Sequence, residues 1–254
     1  MSIWGGLQIG LDTLYPARCL GCGDVVDGDY GLCGPCWRDT AFIGGALCDG
    51  CGTPLPGNAP DPEETLHCDR CLADPPPWAQ GRAALIYGDT GRKLVLALKH
   101  GDRQEIAQPA GLWMANAVRD IAPPQSLIIP VPLHWQRMIR RRYNQSALLA
   151  KALAGRLQMS WAPDVLQRIR PTPSLDGLDR GQRSAALADA IAVHPRKRHR
   201  IAARPVLLVD DVMTSGATLR ACTRACKAAG SGPVRVVTLA RVDVMALARM
   251  GKDT

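Results

Sequence analysis

Two acids, Asp210 and Asp211, end the apolar run "VLLV" (206–209) and are followed at once by "VMTSGATL" (212–219). Hydroxyl residues and a glycine stand where a helical pattern begins. Backbone N–H groups at such a helix start, with the hydroxyls of Thr214, Ser215 and Thr218, form an anion cradle. It is not a Walker loop, because the chain has no G-x-x-x-x-G-K-[ST]. An anion in the cradle and two carboxylate acceptors a few residues away suit a phosphorylated sugar. Carboxylates accept hydrogen bonds from sugar hydroxyls, and charge makes each worth roughly 1.5–3 kcal/mol. A purely structural role, capping the helix, needs one acid and not two.

A second chemistry lies before residue 72. Eight of the ten cysteines form four equal C-x-x-C pairs: Cys19/Cys22, Cys33/Cys36, Cys48/Cys51 and Cys68/Cys71. Each pair brings two thiolates to one tetrahedral ion, so four pairs provide for two structural zinc ions with no open position. Knuckle-like Cys22-Gly23 and Cys51-Gly52 favour two sequential sites, 19/22/33/36 and 48/51/68/71; an interleaved cross-brace is the alternative. A disulfide framework needs an oxidising compartment, and "MSIWGGLQIGLDTLYPARC" (1–19) lacks the charged start and apolar run of an export signal. A cytoplasmic location is expected. The spacing of Ile3, Leu7, Leu11 and Leu14 predicts a short amphipathic helix within residues 1–18. No stretch reaches the roughly 20 apolar residues of a membrane span.

The elements that must position these groups follow from composition. A zinc module over 19–74 gives way to the proline linker "ADPPPWAQG" (73–81), its stiff part being 75–81. Beyond it, "AALIY" (83–87), "SLIIPV" (126–131), "RPVLLV" (204–209) and "VRVVTLA" (234–240) read as strands. Helical patterns such as 146–157 and 218–230 alternate with them. Wholly apolar strands between helices predict an α/β domain over 82–243, a parallel sheet covered on both faces, with a tail at 244–254. Ligands of such sheets sit outside the carboxyl ends of strands, and Val209 is expected to end a central one. Adjacent strand residues face opposite ways, so Asp210 and Asp211 are expected to converge because the strand stops before them. Cys222 and Cys226, four apart on the last helix, read as small core residues.

The formal charge of +8 hints at an acidic partner, but two zinc–thiolate sites lower it by about four, to roughly +4. "PRKRHR" (195–200) reads as a solvated basic loop more readily than as a nucleic-acid contact. "RMIRRRYN" (137–144) is more pointed, because arginine suits phosphate oxygens bidentately. Lys99 and His100, at a helix end, are dipole partners or phosphate contacts. Tyr30, Trp37 and Phe42 are the only aromatics between the first and third cysteine pairs, few for base stacking.

The stretch 206–219 resembles the phosphoribosyl pyrophosphate (PRPP) motif of type I phosphoribosyltransferases. With the paired cysteines in front, the chain from "LYPARCLGCG" to "VVTLARV" is similar to the ComF family, the competence-protein or GntX-like phosphoribosyltransferases. "LKHG" (98–101), "IPVPLH" (129–134), "RRYNQSALLA" (141–150) and "RPTPSLDGLDRGQRS" (170–184) carry the rest of the likeness. The resemblance implies a type I phosphoribosyltransferase-like sheet domain behind a double zinc ribbon. It places the ribose 2′- and 3′-hydroxyls on Asp210 and Asp211, and the 5′-phosphate on Thr214, Ser215, Gly216, Ala217 and Thr218. It places pyrophosphate, with Mg²⁺, at Val131, Pro132 and Leu133, near Arg141, Asn144, Gln145 and Lys99. Arg180 and Arg183 fall in the flexible catalytic loop and would swing onto the leaving pyrophosphate. The chain departs from the family pattern at Arg142, Leu175 and Ala186.

Two functions follow as expectations. In one, PRPP loses pyrophosphate and its C1 is captured by a nitrogen nucleophile of unidentified origin. A glutamine-dependent amidotransferase is not expected, since the chain starts Met1-Ser2 and its early cysteines are committed to zinc. In the other, the ribbons and basic loops engage single-stranded DNA or a DNA-uptake helicase, and PRPP is only sensed.

Overall fold

The computed structural model describes residues 16–28, 31–58, 61, 64–100, 103–133, 143–170 and 190–242. The expected N-terminal helix, the tail, Tyr30, His134, Arg141, Arg142, Leu175, Arg180, Arg183 and Ala186 lie outside them.

Four parallel strands form the central sheet, in the order β1-β6-β5-β2. They are β1 (Gly81–Ile86), β2 (Leu127–Pro130), β5 (Val206–Met213) and β6 (Val234–Arg241). These are the four apolar runs read from the sequence. Burial on both sides is what made them apolar throughout: Val206, Leu207, Leu208 and Val209 are each at most 1% exposed. Side chains alternate between the faces. Leu207 and Val209 pack with helices α3 (Asp89–His100), α4 (Ala107–Ala117) and α5 (Gln145–Leu157). Val206 and Leu208 pack with α6 (Ala217–Ala228), where Cys222 and Cys226 are fully buried core residues.

A short antiparallel ribbon, β3 (Leu166–Arg168) with β4 (Ile191–Val193), lies apart from the sheet. Its strands are too short to leave a periodic signal, and they flank the segment that holds "RPTPSLDGLDRGQRS".

The cysteine-rich segment is built mostly of turns, with one-turn helices α1 (Gly34–Arg38) and α2 (Asp69–Ala73) at the closing pairs. It docks on the sheet's β1 edge. Phe42 bridges Leu85, with Ile43 N–H donating to Ala84 O and Ile86 N–H to Ala41 O, both at 2.9 Å. A sheet edge that would otherwise offer unpaired backbone groups is thereby covered. Gly52 allows the close approach: at φ +67°, a Cβ there would lie 2.9 Å from Arg82 Cα and Ala83 N. Arg82, 6% exposed, is held between Asp49 (2.9 Å) and Asp120 (2.6 Å), which ties the second ribbon to β1 and to the end of the α4 region.

One expectation is corrected. β5 does not stop at Val209; it continues on β6 to Met213, with Asp210 opposite Thr238 and Met213 opposite Arg241. What stops is its other neighbour, since β2 pairs only as far as Pro130 opposite Val209. The two acids therefore lie on a strand that has lost one partner, and α5 begins in the space β2 vacates. No helix among the described residues is long and apolar enough to cross a membrane.

Candidate functional site

Asp210 and Asp211 both reach the start of α5, by way of neighbouring residues. Asp210 Oδ1 accepts from Ser146 Oγ and from the N–H of Asp211, each at 2.9 Å. Asp211 Oδ2 accepts from Gln145 Nε2 at 2.9 Å and pairs with Lys99 Nζ at 3.3 Å. Each carboxylate thus spends one oxygen on the protein. Asp210 Oδ2 and Asp211 Oδ1 have no partner among the described residues. Burial first, and then the charge of Asp211, push the carboxyl of Asp210 up to about 7; Ser146 and Lys99 pull the other way.

The elements holding these groups are firmly seated. Lys99 is carried by α3, whose Leu94, Val95 and Leu98 are fully buried. Tyr143 Oη donates to Leu98 O at 2.6 Å, which draws the start of α5 against the end of α3. Asn144 is the N-cap of α5: its side chain accepts from Ser146 N–H and Ala147 N–H and donates to Val131 O at 3.1 Å. Asn144 therefore joins the turn after β2 to the helix that meets the acids. Val131 and Pro132 are buried in that turn, Val131 N–H donating to Val209 O at 2.9 Å, and Leu133 is partly exposed beside them. Gln145 is 4% exposed, and its Oε1 has no partner among the described residues.

The loop after β5 turns into α6 through Gly216, its N-cap, at φ +78°. That value is the left-handed region glycine adopts without penalty. Thr214 is exposed, Ser215 and Thr218 are half-buried, and Gly216 and Ala217 are buried. Ser215 Oγ accepts from Ala217 N–H at 3.4 Å. The first turn of a three-turn helix thus points its free N–H groups to the end of the sheet where the acids lie.

The eight thiols gather as 19/22/33/36 and 48/51/68/71, the ligand atoms of each set within 4.8 Å of one another. This is the sequential grouping, and the cross-brace is ruled out. A zinc tetrahedron with bonds of about 2.3 Å has edges of about 3.8 Å. Cys22 and Cys33 stand 3.6 Å apart and Cys51 and Cys68 3.7 Å, so both sets fit structural zinc. Cys48 first, then the guanidinium of Arg241, lower the Cys51 thiol to about 3 against the opposing effect of burial.

Several neighbours of the site were not singled out by the sequence patterns, although Ser146 lies within "RRYNQSALLA" (141–150). Ser146, Arg70, Trp78, Arg220 and Arg241 all border the acids or the loop. Of the rest, Arg70 alone carries a hint, as a cation between two ligands in "CDRC" (68–71). The basic segment 195–200 forms a short 3-10 helix turned back onto the fold. Lys197 and Arg200 pair with Asp164 at 3.0 and 3.8 Å, and Arg198 Nε donates to Ala229 O.

Comparison with known proteins adds three findings. A double zinc ribbon domain model matches residues 10–72. The DNA utilization protein YhgH of Shigella flexneri is 31% identical over 219 residues, 84% of this chain and 92% of that protein. Competence protein F of Haemophilus influenzae is 30% identical over 235 residues, 90% of this chain and 99% of that protein. Solved structures with a similar chain path include an adenine phosphoribosyltransferase from Thermoanaerobacter pseudethanolicus, 16% identical, with a TM-score of 0.35 over 56% of this chain and 83% of that one. An allosteric regulatory enzyme of purine biosynthesis is 12% identical, with a TM-score of 0.39 over 61% of this chain and 40% of that one. Identity at this level along nearly the whole length shows that the chain belongs to the ComF family of competence protein F and YhgH.

Proposed function

We propose that the chain binds PRPP at the carboxyl end of β5 and acts as a phosphoribosyltransferase on a nitrogen nucleophile. One observation carries this reading. Two carboxylates, each with an oxygen left over, stand beside a helix N-terminus that opens through a left-handed glycine. The spare oxygens of Asp210 and Asp211 accept from the ribose 2′- and 3′-hydroxyls, and the loop 214–218 holds the 5′-phosphate. Lys99 has a second use: by pairing with Asp211 it offsets part of the repulsion between two adjacent acids. The turn 131–133 lies on the pyrophosphate side, and the family resemblance assigns Arg141, Arg180 and Arg183, outside the described residues, to the same group. Mg²⁺ accompanies PRPP and neutralises pyrophosphate oxygens. The protein's share of the reaction is to position C1 and to stabilise charge as pyrophosphate departs.

Calorimetry with PRPP and Mg²⁺ tests this directly. Replacing both acids by Asn keeps size but puts amide donors where hydroxyls donate. At roughly 1–2 kcal/mol per contact, the two together lower affinity about thirty- to several hundredfold. Ribose 5-phosphate competes, because it offers the same hydroxyls and phosphate. Equal affinity in the double variant refutes the ribose contacts and the transferase reading with them.

A second reading has its own observation. Trp37, on the first ribbon, is 51% exposed and packs against Phe42 at 4.4 Å with the rings tilted by 37°, and Phe42 is edge-on to Trp113 at 5.5 Å. A supported, exposed indole is a platform for an unpaired base. With relatives named for competence and DNA utilization, it favours single-stranded DNA as an additional partner. Pyrophosphate release on a panel of nucleobases, set against salt-dependent DNA binding, separates transfer from binding alone.

A further inference from the structure

The loop that cradles the phosphate is gripped from the second zinc ribbon. Trp78, 5% exposed, donates from its indole N–H to Gly50 O at 2.6 Å, between the ligands Cys48 and Cys51. The far edge of its ring lies 3.2 Å from where a Cβ on Gly216 would be. Arg220, in the first turn of α6, donates to Asp74 O at 2.9 Å and Pro75 O at 3.1 Å, and pairs with the Asp74 carboxylate at 3.2 Å. Arg241, 2% exposed, donates to Thr53 Oγ1 and to Met213 Sδ, the residue that opens the loop. Arg70 Nη1 reaches Thr214 O at 3.4 Å, across 144 positions of sequence.

The cations among these have different employments. Arg220 is taken up by Asp74 and Pro75, and Arg241 is buried against the thiolates, where it offsets the negative charge a four-thiolate zinc site carries. Arg70 is half-buried, and its one hydrogen bond is on the carbonyl of the first cradle residue. Its Nε and Nη2 have no partner among the described residues. A phosphate dianion entering here meets two carboxylates three and four residues before Thr214. Helix N–H groups supply only about half a positive charge. A guanidinium on the rim with donors to spare meets that need in the geometry phosphate oxygens accept.

We propose that the second zinc ribbon completes the phosphate site: Arg70 is a direct ligand of the phosphate held by residues 214–218, and its zinc site, through the flanking Cys68 and Cys71, positions it. This rests on the PRPP reading of the site and extends it to a residue from another module. The ion is then structural for the ribbon and for ligand binding together. By linkage, whatever holds the phosphate also holds the ribbon closed.

The test uses the full chain with zinc content measured. Ribose 5-phosphate is titrated calorimetrically into the parent, Arg70→Lys and Arg70→Ala. Arg70→Ala, with both zinc ions retained, binds about 10- to 100-fold more weakly, and Arg70→Lys falls between. No binding to the parent refutes the phosphate site and this proposal with it. Binding to the parent with unchanged affinity in Arg70→Ala refutes the proposal alone. If Arg70→Ala loses zinc, the parent decides. In equilibrium competition with a chelating dye, one of its two zinc ions is held at least about fivefold more tightly under saturating ribose 5-phosphate, as ligand linkage requires. Equal zinc affinity with and without bound ligand overturns the proposal.

Discussion

Asp210→Asn separates what this residue does for the ligand from what it costs the free protein. Its carboxyl is raised from an ordinary 3.8 to about 7, by burial first and Asp211 second. That is an increase in proton affinity of about a thousandfold, worth about 4 kcal/mol. A folded-state value above the unfolded one means that the group's favourable contribution is fully present below 3.8 and is lost as pH rises through about 7. Above pH 7 the ionised acid is a burden on the fold. Asp210 is not sealed from solvent, and Lys99 and Asp211 readjust around it, so about 1–2 kcal/mol of that burden is released by the substitution. Asn keeps an oxygen for Ser146 Oγ and the Asp211 N–H, so the internal contacts survive. For a chain of this size the gain is roughly 3–6 °C in Tm at pH 8, shrinking as the pH is lowered towards 5. Ribose 5-phosphate affinity falls about tenfold in the same variant. Thermal melts of parent and variant at pH 5, 6, 7 and 8, beside calorimetry at pH 8, make the comparison. A Tm difference that does not change with pH, or a variant less stable than the parent at pH 8, refutes the strained-acid account.

The protein purified without chelator carries two zinc ions per chain by elemental analysis; one or none removes the two-site assignment. Arg180→Ala with Arg183→Ala leaves the melting temperature in place and lowers turnover of PRPP, and unchanged PRPP affinity and turnover would make that segment a spacer.

The residues proposed to do chemistry were legible because their signals are local. A C-x-x-C pair meets a metal through its own turn, so four equal spacings announce two zinc sites before any fold is known. Strands buried on both faces read as near-continuous apolar runs, so the four strands of the sheet stood out. The acids near the end of β5 and the glycine that opens α6 fall within the seven residues 210–216, so all of them are neighbours in sequence. Tertiary structure decided what depends on distant segments meeting. It chose the sequential thiol sets over the cross-brace, since both satisfy the same spacing. It carried β5 on to Met213, because β6 is long enough to keep pairing while β2 stops at Pro130. It gave Lys99 to Asp211 rather than only to a helix end, through the approach of α3 to α5. It also set the second ribbon against the loop 214–218. Arg70 and Thr214, or Arg220 and Asp74, share no pattern that periodicity could reveal; they meet because Gly52 lets the ribbon settle onto β1 and Trp78 fills the space beside Gly216.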